Sequence, residues 1–324
     1  MRDSLLENIK YKELKAMYDI IVIGAGPAGL TAALYARRAE KSVLVIEKST
    51  FGGQITHSPR VENYPGFLEM SGNEFADKLI EQVLAQGAEI ELDEVTGIEG
   101  DAGNYTVKCG AKSYTAKTVI IATGSKHRHL GIDREEDFVG EGISYCAVCD
   151  GAFYKGKSVA VIGGGNSALV DAVLLSESCT QVYVVQNLGF LTGESRLVKT
   201  LEKRDNVKFI YNSVVKRILG GTAFEGIEIE NTEEGGITEL RVDGIFVAIG
   251  QVPENEPFAP NVKLNSYGYV EAGENCIPSA EGSFDVSGIF IAGDCRTKSI
   301  RQVTTATADG AVSALAACRF IDSL

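Results

Sequence analysis

The stretch YDIIVIGAGPAGLTAALYARRAEKSVLVIE, residues 18–47, indicates the fold class of this chain. Its pattern predicts an apolar strand, a glycine-rich turn, a helix and a second strand that ends in Glu47. Gly24 permits the tight turn, Gly26 lets a pyrophosphate approach the backbone, and Gly29 lets the helix pack closely on the strand. Glu47 follows Gly24 by 23 residues, where an acid can accept hydrogen bonds from a ribose. The stretch therefore predicts a dinucleotide-binding βαβ unit.

A second stretch, KSVAVIGGGNSALVDAVLLSESCTQVYVVQ at residues 157–186, repeats this pattern. Gly163, Gly165 and Ala168 stand on its turn, and Gln186 occupies the position of the acid that ends the first unit. Two such units in one chain suggest two dinucleotide sites.

Two further segments, KTVIIATGSK and DGIFVAIGQVPEN, end a strand at a glycine turn and are interpreted as hinges. Near the C-terminus a strand runs into Gly293–Asp294 and then into a helix of small residues, an arrangement that suits phosphate or flavin contact. The predicted fold is α/β, with two Rossmann-like dinucleotide-binding domains, the second inserted in the first. Residues 1–126 and 248–324 are expected to form the first domain, and residues 127–247 the inserted one.

Apolar runs and net charge indicate which classes of protein this chain does not resemble. No apolar run approaches the roughly 18 residues that cross a bilayer, and the first residues lack the apolar core of a secretory signal, so a cytoplasmic location is expected. The formal net charge of -13 disfavours nucleic acid or an anionic membrane as a partner. Apolar residues at near-helical spacing in the N-terminal extension, residues 1–17, predict a short amphipathic helix.

The stretch SYCAVCDGAFY, residues 144–154, places Cys146 and Cys149 directly before the second βαβ unit. Two residues between the thiols allow a disulfide at a helix start, where the helix dipole makes the pair reversible. Two buried, inert cysteines are the alternative, which the neighbouring Asp150 disfavours. Structural zinc would need a second pair of ligands, and the other five cysteines are scattered among only three histidines. No metal site is predicted.

From residue 18 onward the chain resembles the low-molecular-weight thioredoxin reductases. That family holds FAD in the first domain, uses a Cys-x-x-Cys disulfide in the inserted domain and works as a homodimer. The motifs that carry the resemblance occur in the family's order: GAGPAG at 24–29, FGGQITHSPRVENYPGF at 51–67, ATG at 122–124, CAVCDGAFY at 146–154, GGGNSA at 163–168 and AGDCRTKSIRQV at 292–303.

The resemblance implies roles for individual residues. Cys149 would face the flavin, and Cys146 would attack the disulfide of thioredoxin. Asp150 would supply and accept protons during exchange, although a helix N-cap is its plainer interpretation. The residues implied for FAD are Gly24, Gly26, Pro27, Ala28, Gly29, Glu47, Gly53, Gln54, Asn63, Ala122, Gly124, Gly293, Asp294, Arg301, Gln302 and Val303.

The chain departs from the family in VYVVQNLGFLTGES, residues 182–195. Family members that use NADPH carry His-Arg-Arg and a further arginine here, which clamp the ribose 2′-phosphate. This chain has Gln186, Asn187 and Leu188, with Thr192 in place of the further arginine. An NADH site would require an acid at Gln186, which is absent. Weak binding of both nucleotides is expected.

A smaller branch looks similar in this respect: the ferredoxin-dependent flavin thioredoxin reductases, which keep FAD and the cysteines but lack the nucleotide motifs. The expected electron donor is reduced ferredoxin. Because ferredoxins are usually acidic, docking would need a basic patch such as Arg37, Arg38 and Lys41, or Lys126 and Arg128.

Three other functions stay open. The first is an NAD(P)H-dependent reductase whose clamp uses Arg196, Lys199 or Arg204. The second is a disulfide oxidoreductase with a second flavin or an unknown donor. The third is a non-catalytic, redox-sensing binding protein.

Overall fold

The computed structural model describes residues 17–58, 60–110, 112–280 and 285–324. The amphipathic helix predicted within residues 1–17 therefore lies outside the described residues, apart from Met17. Backbone contacts divide the chain into two units. The first holds the chain up to Gly53, then Ala76–Gly124 and Pro253–Leu324; the second holds Gln54–Phe75 and Ser125–Val252.

Strands and α-helices alternate in two stretches of the described chain, residues 18–92 and 143–210, and elsewhere strands follow one another up to the final helix. The helices are α1 (Pro27–Arg38), α2 (Gly72–Ala85), α3 (Ala147–Asp150), α4 (Asn166–Leu175), α5 (Ser195–Leu201) and α6 (Val303–Asp322). The strands are β1 (Tyr18–Ile23), β2 (Val43–Glu47), β3 (Glu89–Leu92), β4 (Val95–Asp101), β5 (Asn104–Cys109), β6 (Lys112–Ile121), β7 (Ser125–His127), β8 (Ile143–Ser144), β9 (Ser158–Ile162), β10 (Gln181–Val185), β11 (Val207–Ile210), β12 (Ser213–Leu219), β13 (Gly226–Asn231), β14 (Ile237–Leu240), β15 (Gly244–Val247), β16 (Gln251–Pro253) and β17 (Ile289–Ile291).

The first unit is built on a seven-stranded sheet in the order β3-β2-β1-β6-β5-β4, with β17 also paired to β6. Strands β3, β2, β1, β6 and β17 are parallel, and β5 and β4 continue the sheet antiparallel. Strands β1 and β2 are buried on both faces, which explains why they are apolar along almost their whole length.

Helices α1 and α6 cover one face of this sheet with a core that includes Leu30, Phe290 and Ala317. Gly310 makes their close approach possible, because a Cβ at this position would lie 2.2 Å from the carbonyl oxygen of Ala28. The contact anchors α6 beside the glycine-rich turn that precedes α1.

The second unit contains a five-stranded parallel sheet in the order β11-β10-β9-β15-β8 and a three-stranded antiparallel sheet, β12-β13-β14. Val159 and Val161 face a core with Leu169 of α4, whereas Ala160 and Ile162 face the core shared with the antiparallel sheet. The predicted α/β fold, with two Rossmann-like domains and the second inserted in the first, is confirmed.

No helix among the described residues is long and apolar enough to cross a membrane.

Candidate active site

The first glycine-rich turn combines tight packing with one open position. Gly24 has φ +104°, and a Cβ there would lie 2.4 Å from the carbonyl oxygen of Ala122. A Cβ on Gly29 would lie 1.9 Å from the carbonyl oxygen of Gly24. At Gly26 the nearest atom to an added Cβ is 4.0 Å away, so this backbone is open to a ligand. Because α1 begins directly after it, at Pro27, the turn fits a diphosphate at a helix N-terminus.

Glu47 is buried at the end of β2 and supports this turn. One carboxylate oxygen accepts the backbone N–H of Ala25 at 2.8 Å, and the other accepts the N–H of Ser49 at 3.0 Å. The oxygen bonded to Ser49 also accepts the hydroxyl of that residue at 3.4 Å, and the oxygen bonded to Ala25 has a second lone pair for a ribose hydroxyl. The hydrogen bond to Ala25 gives Glu47 a structural role that the motif alone did not indicate.

The Gly293–Asp294 segment lies against the same turn. Gly293 has φ +80°, and a Cβ there would meet the Cβ of Ala28 at 2.8 Å. Oδ1 of Asp294 and Nε of Arg301 are buried without a hydrogen-bond partner in the described part of the chain. Burial also raises the pKa of Asp294. Unpaired buried polar atoms are rare in native proteins, so these two fit a polar cofactor bound beside the turn.

Other residues implied for FAD in the first unit surround this turn or begin α6. Gly53 has φ +65°, and its Cβ would lie 3.1 Å from Cα of Gly26. Gly124 has φ +69° and faces open space. Gln302 caps α6 through reciprocal hydrogen bonds with Thr305, and Val303 is the first residue of that helix.

Two of the residues implied for FAD, Gln54 and Asn63, are exposed and belong to the second unit.

Cys146 and Cys149 form a disulfide at the start of α3, as the spacing predicted. Both residues are partly buried, whereas Val148 between them is exposed. The backbone N–H of Cys149 donates to Sγ of Cys146 at 3.2 Å. After reduction this N–H would stabilise a thiolate on Cys146, which favours Cys146 as the attacking thiol.

Asp150 ends α3 and shares a hydrogen-bond network with the disulfide. The buried Ser144 accepts the N–H of Cys146 at 3.0 Å and donates to Oδ2 of Asp150 at 2.7 Å. Oδ1 of Asp150 is buried without a partner among the described residues, and burial raises the pKa of this carboxyl. Asp150 is therefore suited to hold a proton beside the redox pair.

The alternative role of Asp150, as a helix cap, is not realised by its side chain. Asp150 stands at the N-cap of the 3-10 helix Gly151–Tyr154 but makes no side-chain capping hydrogen bond. The sequence did not indicate a role for Ser144, because a lone hydroxyl two residues before the first cysteine matches no motif.

The second glycine-rich turn packs like the first, and Gly165, at the position of Gly26, is likewise open, with no atom nearer than 3.8 Å to an added Cβ. Gly163 has φ +129°, and its Cβ would lie 2.5 Å from the carbonyl oxygen of Ala248. At Gly164 an added Cβ would meet Cδ of Gln186 at 2.5 Å. Gln186 is buried, and its amide donates to the carbonyl oxygen of Phe190 at 3.2 Å. The side chain at the position of the ribose acid thus packs on the turn and bonds to its own loop.

The loop after β10 is hydrogen-bonded onto the same turn. The N–H groups of Thr192 and Gly193 donate to the carbonyl oxygen of Gly164 at 2.9 and 3.0 Å. Leu188 is 39% exposed and Phe190 is 63% exposed, so the surface where a phosphate clamp would lie carries apolar side chains beside the exposed Asn187.

The residues considered for an unusual clamp are largely engaged elsewhere. Nε of Arg196 pairs with a carboxylate oxygen of Glu194 at 2.6 Å, and Arg204 pairs with Glu177 at 3.4 Å. Lys199 is exposed. A phosphate at this site would have to displace two carboxylates or bind next to them.

Some of the basic residues considered for ferredoxin docking are also engaged in contacts within the fold. Arg37 donates to the carbonyl oxygens of Gln86 and Lys41, and Lys41 pairs with Asp322. These contacts give Arg37 and Lys41 structural roles. The other three members of the patches are exposed: Arg38, Lys126 and Arg128.

The remaining cysteines are buried: Cys109, Cys179, Cys276, Cys295 and Cys318. Within the described ranges no group of three metal-binding side chains comes together.

Residues 18–310 match the model of a protein family described as pyridine nucleotide-disulphide oxidoreductase. A relative from Clostridium pasteurianum, described as a 34.2 kDa protein in rubredoxin operon, is 41% identical over 96% of this chain and 99% of its own length. A thioredoxin reductase from Bacillus subtilis is 38% identical over 95% of this chain and 96% of its own length.

Solved structures agree over the same span. The thioredoxin reductase from Streptococcus pyogenes MGAS5005 is 38% identical, with a TM-score of 0.89 over 95% of this chain and 99% of that chain. A ferredoxin-flavin thioredoxin reductase from Clostridium acetobutylicum is 29% identical, with a TM-score of 0.51 over 95% of this chain and 99% of that chain.

Proposed function

Since this chain belongs to the pyridine nucleotide-disulphide oxidoreductase family, whose members bind FAD, we propose that it is a flavin-dependent thioredoxin reductase. One observation carries the proposal: a disulfide between Cys146 and Cys149 shares a hydrogen-bond network with a buried, protonatable Asp150. In this proposal residues 1–126 and 248–324 form the FAD-binding domain, and residues 127–247 carry the redox pair.

The residues around the first glycine-rich turn fit FAD. The open backbone at Gly26 would hold the pyrophosphate, Glu47 the ribose, and the unpaired polar atoms of Asp294 and Arg301 would bind the remainder. When bound, FAD supplies the two electrons that reduce the disulfide.

The reduced pair would then exchange with thioredoxin in two steps. The Cys146 thiolate attacks one sulfur of the thioredoxin disulfide and forms a mixed disulfide, while the departing thiolate takes a proton from Asp150. Cys149 next passes its proton to the Asp150 carboxylate and attacks Sγ of Cys146, which releases reduced thioredoxin and restores the Cys146–Cys149 disulfide. Two electrons leave the pair in each cycle.

The electron donor in this proposal is reduced ferredoxin. Gln186 stands where a nucleotide ribose would need an acid, and no arginine stands at Asn187, Leu188 or Thr192. Each missing charge-assisted hydrogen bond would remove about 1.5 to 3 kcal/mol of recognition. One solved structure that this chain resembles is described as a ferredoxin-flavin thioredoxin reductase, so the proposed donor is compatible with this architecture.

Anaerobic stopped-flow absorbance of the flavin tests the donor directly. Reduced ferredoxin should bleach the flavin rapidly and drive thioredoxin reduction, whereas NADPH and NADH should bleach it slowly. A double variant, Asn187→Arg with Leu188→Arg, should bleach faster with NADPH than the wild type, because it restores two clamp positions. Rapid bleaching of the wild type by micromolar NADPH, with none by ferredoxin, would show an ordinary NADPH-dependent reductase.

Two of the alternatives predict other results in the same preparation. A second flavin would give two FAD per chain instead of one. A redox-sensing binding protein would leave thioredoxin oxidised with every donor. A homodimer in the cytoplasm belongs to the same proposal, and light scattering of the purified protein would measure the assembly.

A further inference from the structure

Three charged side chains to which the sequence motifs assign no role lie buried next to the proposed flavin site. Asp309 stands in α6, and Arg296 and Lys298 follow the Gly293–Asp294 segment. Their side chains are only 9%, 8% and 7% exposed, respectively. All three belong to the first unit.

Asp309 is the centre of this cluster. It accepts two hydrogen bonds from Arg296, at 2.9 and 2.8 Å, and one from Lys298 at 2.9 Å. Burial by itself would raise the pKa of Asp309, but these hydrogen bonds hold that pKa below its ordinary value. The carboxylate is therefore charged, and its two cations are desolvated with it.

The cluster also contacts the segment that would bind FAD. Oδ2 of Asp309 accepts the backbone N–H of Gly293 at 3.0 Å. Nζ of Lys298 lies 4.0 Å from Oδ1 of Asp294, the carboxylate oxygen that has no hydrogen-bond partner in the described chain. One carboxylate in α6 thus restrains the main chain at Gly293 and places an ammonium beside Asp294.

Charge balance explains why such a cluster is needed. The buried Asp309 and the partly buried Asp294 bring two carboxylates close to the same lysine, and buried charges are tolerated only when paired. Without Lys298, Asp294 would lose its nearest cation, and its oxygen would be less able to stay ionised as an acceptor for a cofactor hydroxyl.

We propose that Asp309 and Lys298 are positioning residues for FAD: Asp309 holds Gly293 and Lys298, and Lys298 orients Asp294 as an acceptor for the cofactor. This inference rests on FAD binding by the chain and is independent of which electron donor reduces the flavin.

Titration of the apoprotein with FAD, followed by quenching of flavin fluorescence, tests the proposal. Lys298→Met keeps the aliphatic stem and removes the charge. We expect its FAD dissociation constant to rise roughly ten- to hundredfold, since a buried charge-assisted contact is lost. Lys298→Arg should restore binding to near the wild-type value, which a mere packing role would not predict.

Lys117→Met is the matched control. It removes another lysine of the first unit, one that pairs with Asp19 at 2.8 Å, and should leave the FAD dissociation constant unchanged. Asp309→Asn should weaken FAD binding as well, but it can also unfold the apoprotein, so the two Lys298 variants are the decisive comparison. Wild-type FAD affinity in Lys298→Met, or equally weak binding in Lys298→Arg, would overturn the proposal.

Discussion

At the scale of single residues, the chemistry of the disulfide depends on a hydroxyl that is not part of the Cys-x-x-Cys motif. Ser144 links the main chain of Cys146 to the carboxylate of Asp150 through one oxygen atom. Two opposing effects act on the pKa of Asp150: burial raises it, and the hydrogen bond from Ser144 lowers it. The serine therefore limits how far the pKa of the proposed proton donor rises.

Replacing Ser144 by alanine should move the pH dependence of thiol exchange. Asp150 must be protonated to act as an acid, so exchange slows as the pH rises through its pKa. Loss of the Ser144 hydrogen bond raises that pKa further, and the alkaline fall of the rate should move to higher pH. The measurement is single-turnover reduction of thioredoxin by chemically reduced enzyme across pH.

A matched variant is Ser158→Ala, which removes a hydroxyl bonded to Asp243 in the same unit. Its pH profile should coincide with that of the wild type. An unchanged profile in Ser144→Ala, or a fall that moves to lower pH, would contradict the assigned role of Asp150.

At the scale of elements, the same glycine pattern performs two different tasks in the first turn. Gly24 and Gly29 are needed by the protein itself, because a side chain on either would collide with backbone. Gly26 is not needed for packing, since an added Cβ would come no closer than 4.0 Å to another atom and its φ of -76° suits any residue. Structural and ligand-binding requirements are thus separable within one motif.

Gly26→Val should cost flavin and leave the fold intact, because the valine occupies the approach to the backbone that a pyrophosphate would use. Gly29→Ala should instead lower the free energy of unfolding by about 1–3 kcal/mol, since its Cβ cannot fit. Flavin content by absorbance and thermal unfolding by circular dichroism measure the two effects. Normal flavin content in Gly26→Val would show that FAD does not approach this turn.

At the scale of the whole molecule, the net charge of -13 determines the long-range electrostatic interaction with an acidic electron donor. Two of the candidate cations, Arg37 and Lys41, are engaged in contacts within the first unit. The protein's overall field therefore repels an acidic partner at long range.

The association rate constant with reduced ferredoxin should consequently increase with salt. Raising the ionic strength from about 0.01 M to 0.15 M shortens the Debye length from about 30 Å to about 8 Å, which screens the repulsion. Stopped-flow rates over a series of ferredoxin concentrations would measure it. A steep decrease with salt would instead indicate a local basic docking patch, with Lys126 and Arg128 as candidates.

The fold class and the redox pair could both be predicted from the amino-acid sequence alone. Each depends on residues close together in the chain: a glycine-rich turn between strand and helix, and two cysteines separated by two residues. Such local patterns specify backbone geometry directly, so the βαβ units and the Cys146–Cys149 disulfide follow from them.

How distant residues complete these sites was settled by tertiary packing. Two such contacts join residues from different elements of the fold. Gln186 packs on Gly164, and Asp309 contacts Gly293 and Lys298. Side-chain partners of this kind depend on how helices pack on sheets, and many pairings are compatible with one pattern of apolar residues. In the sequence, Asp309 cannot be distinguished from an exposed polar residue on a helix. The pattern of residues does not show which cations neutralise its charge.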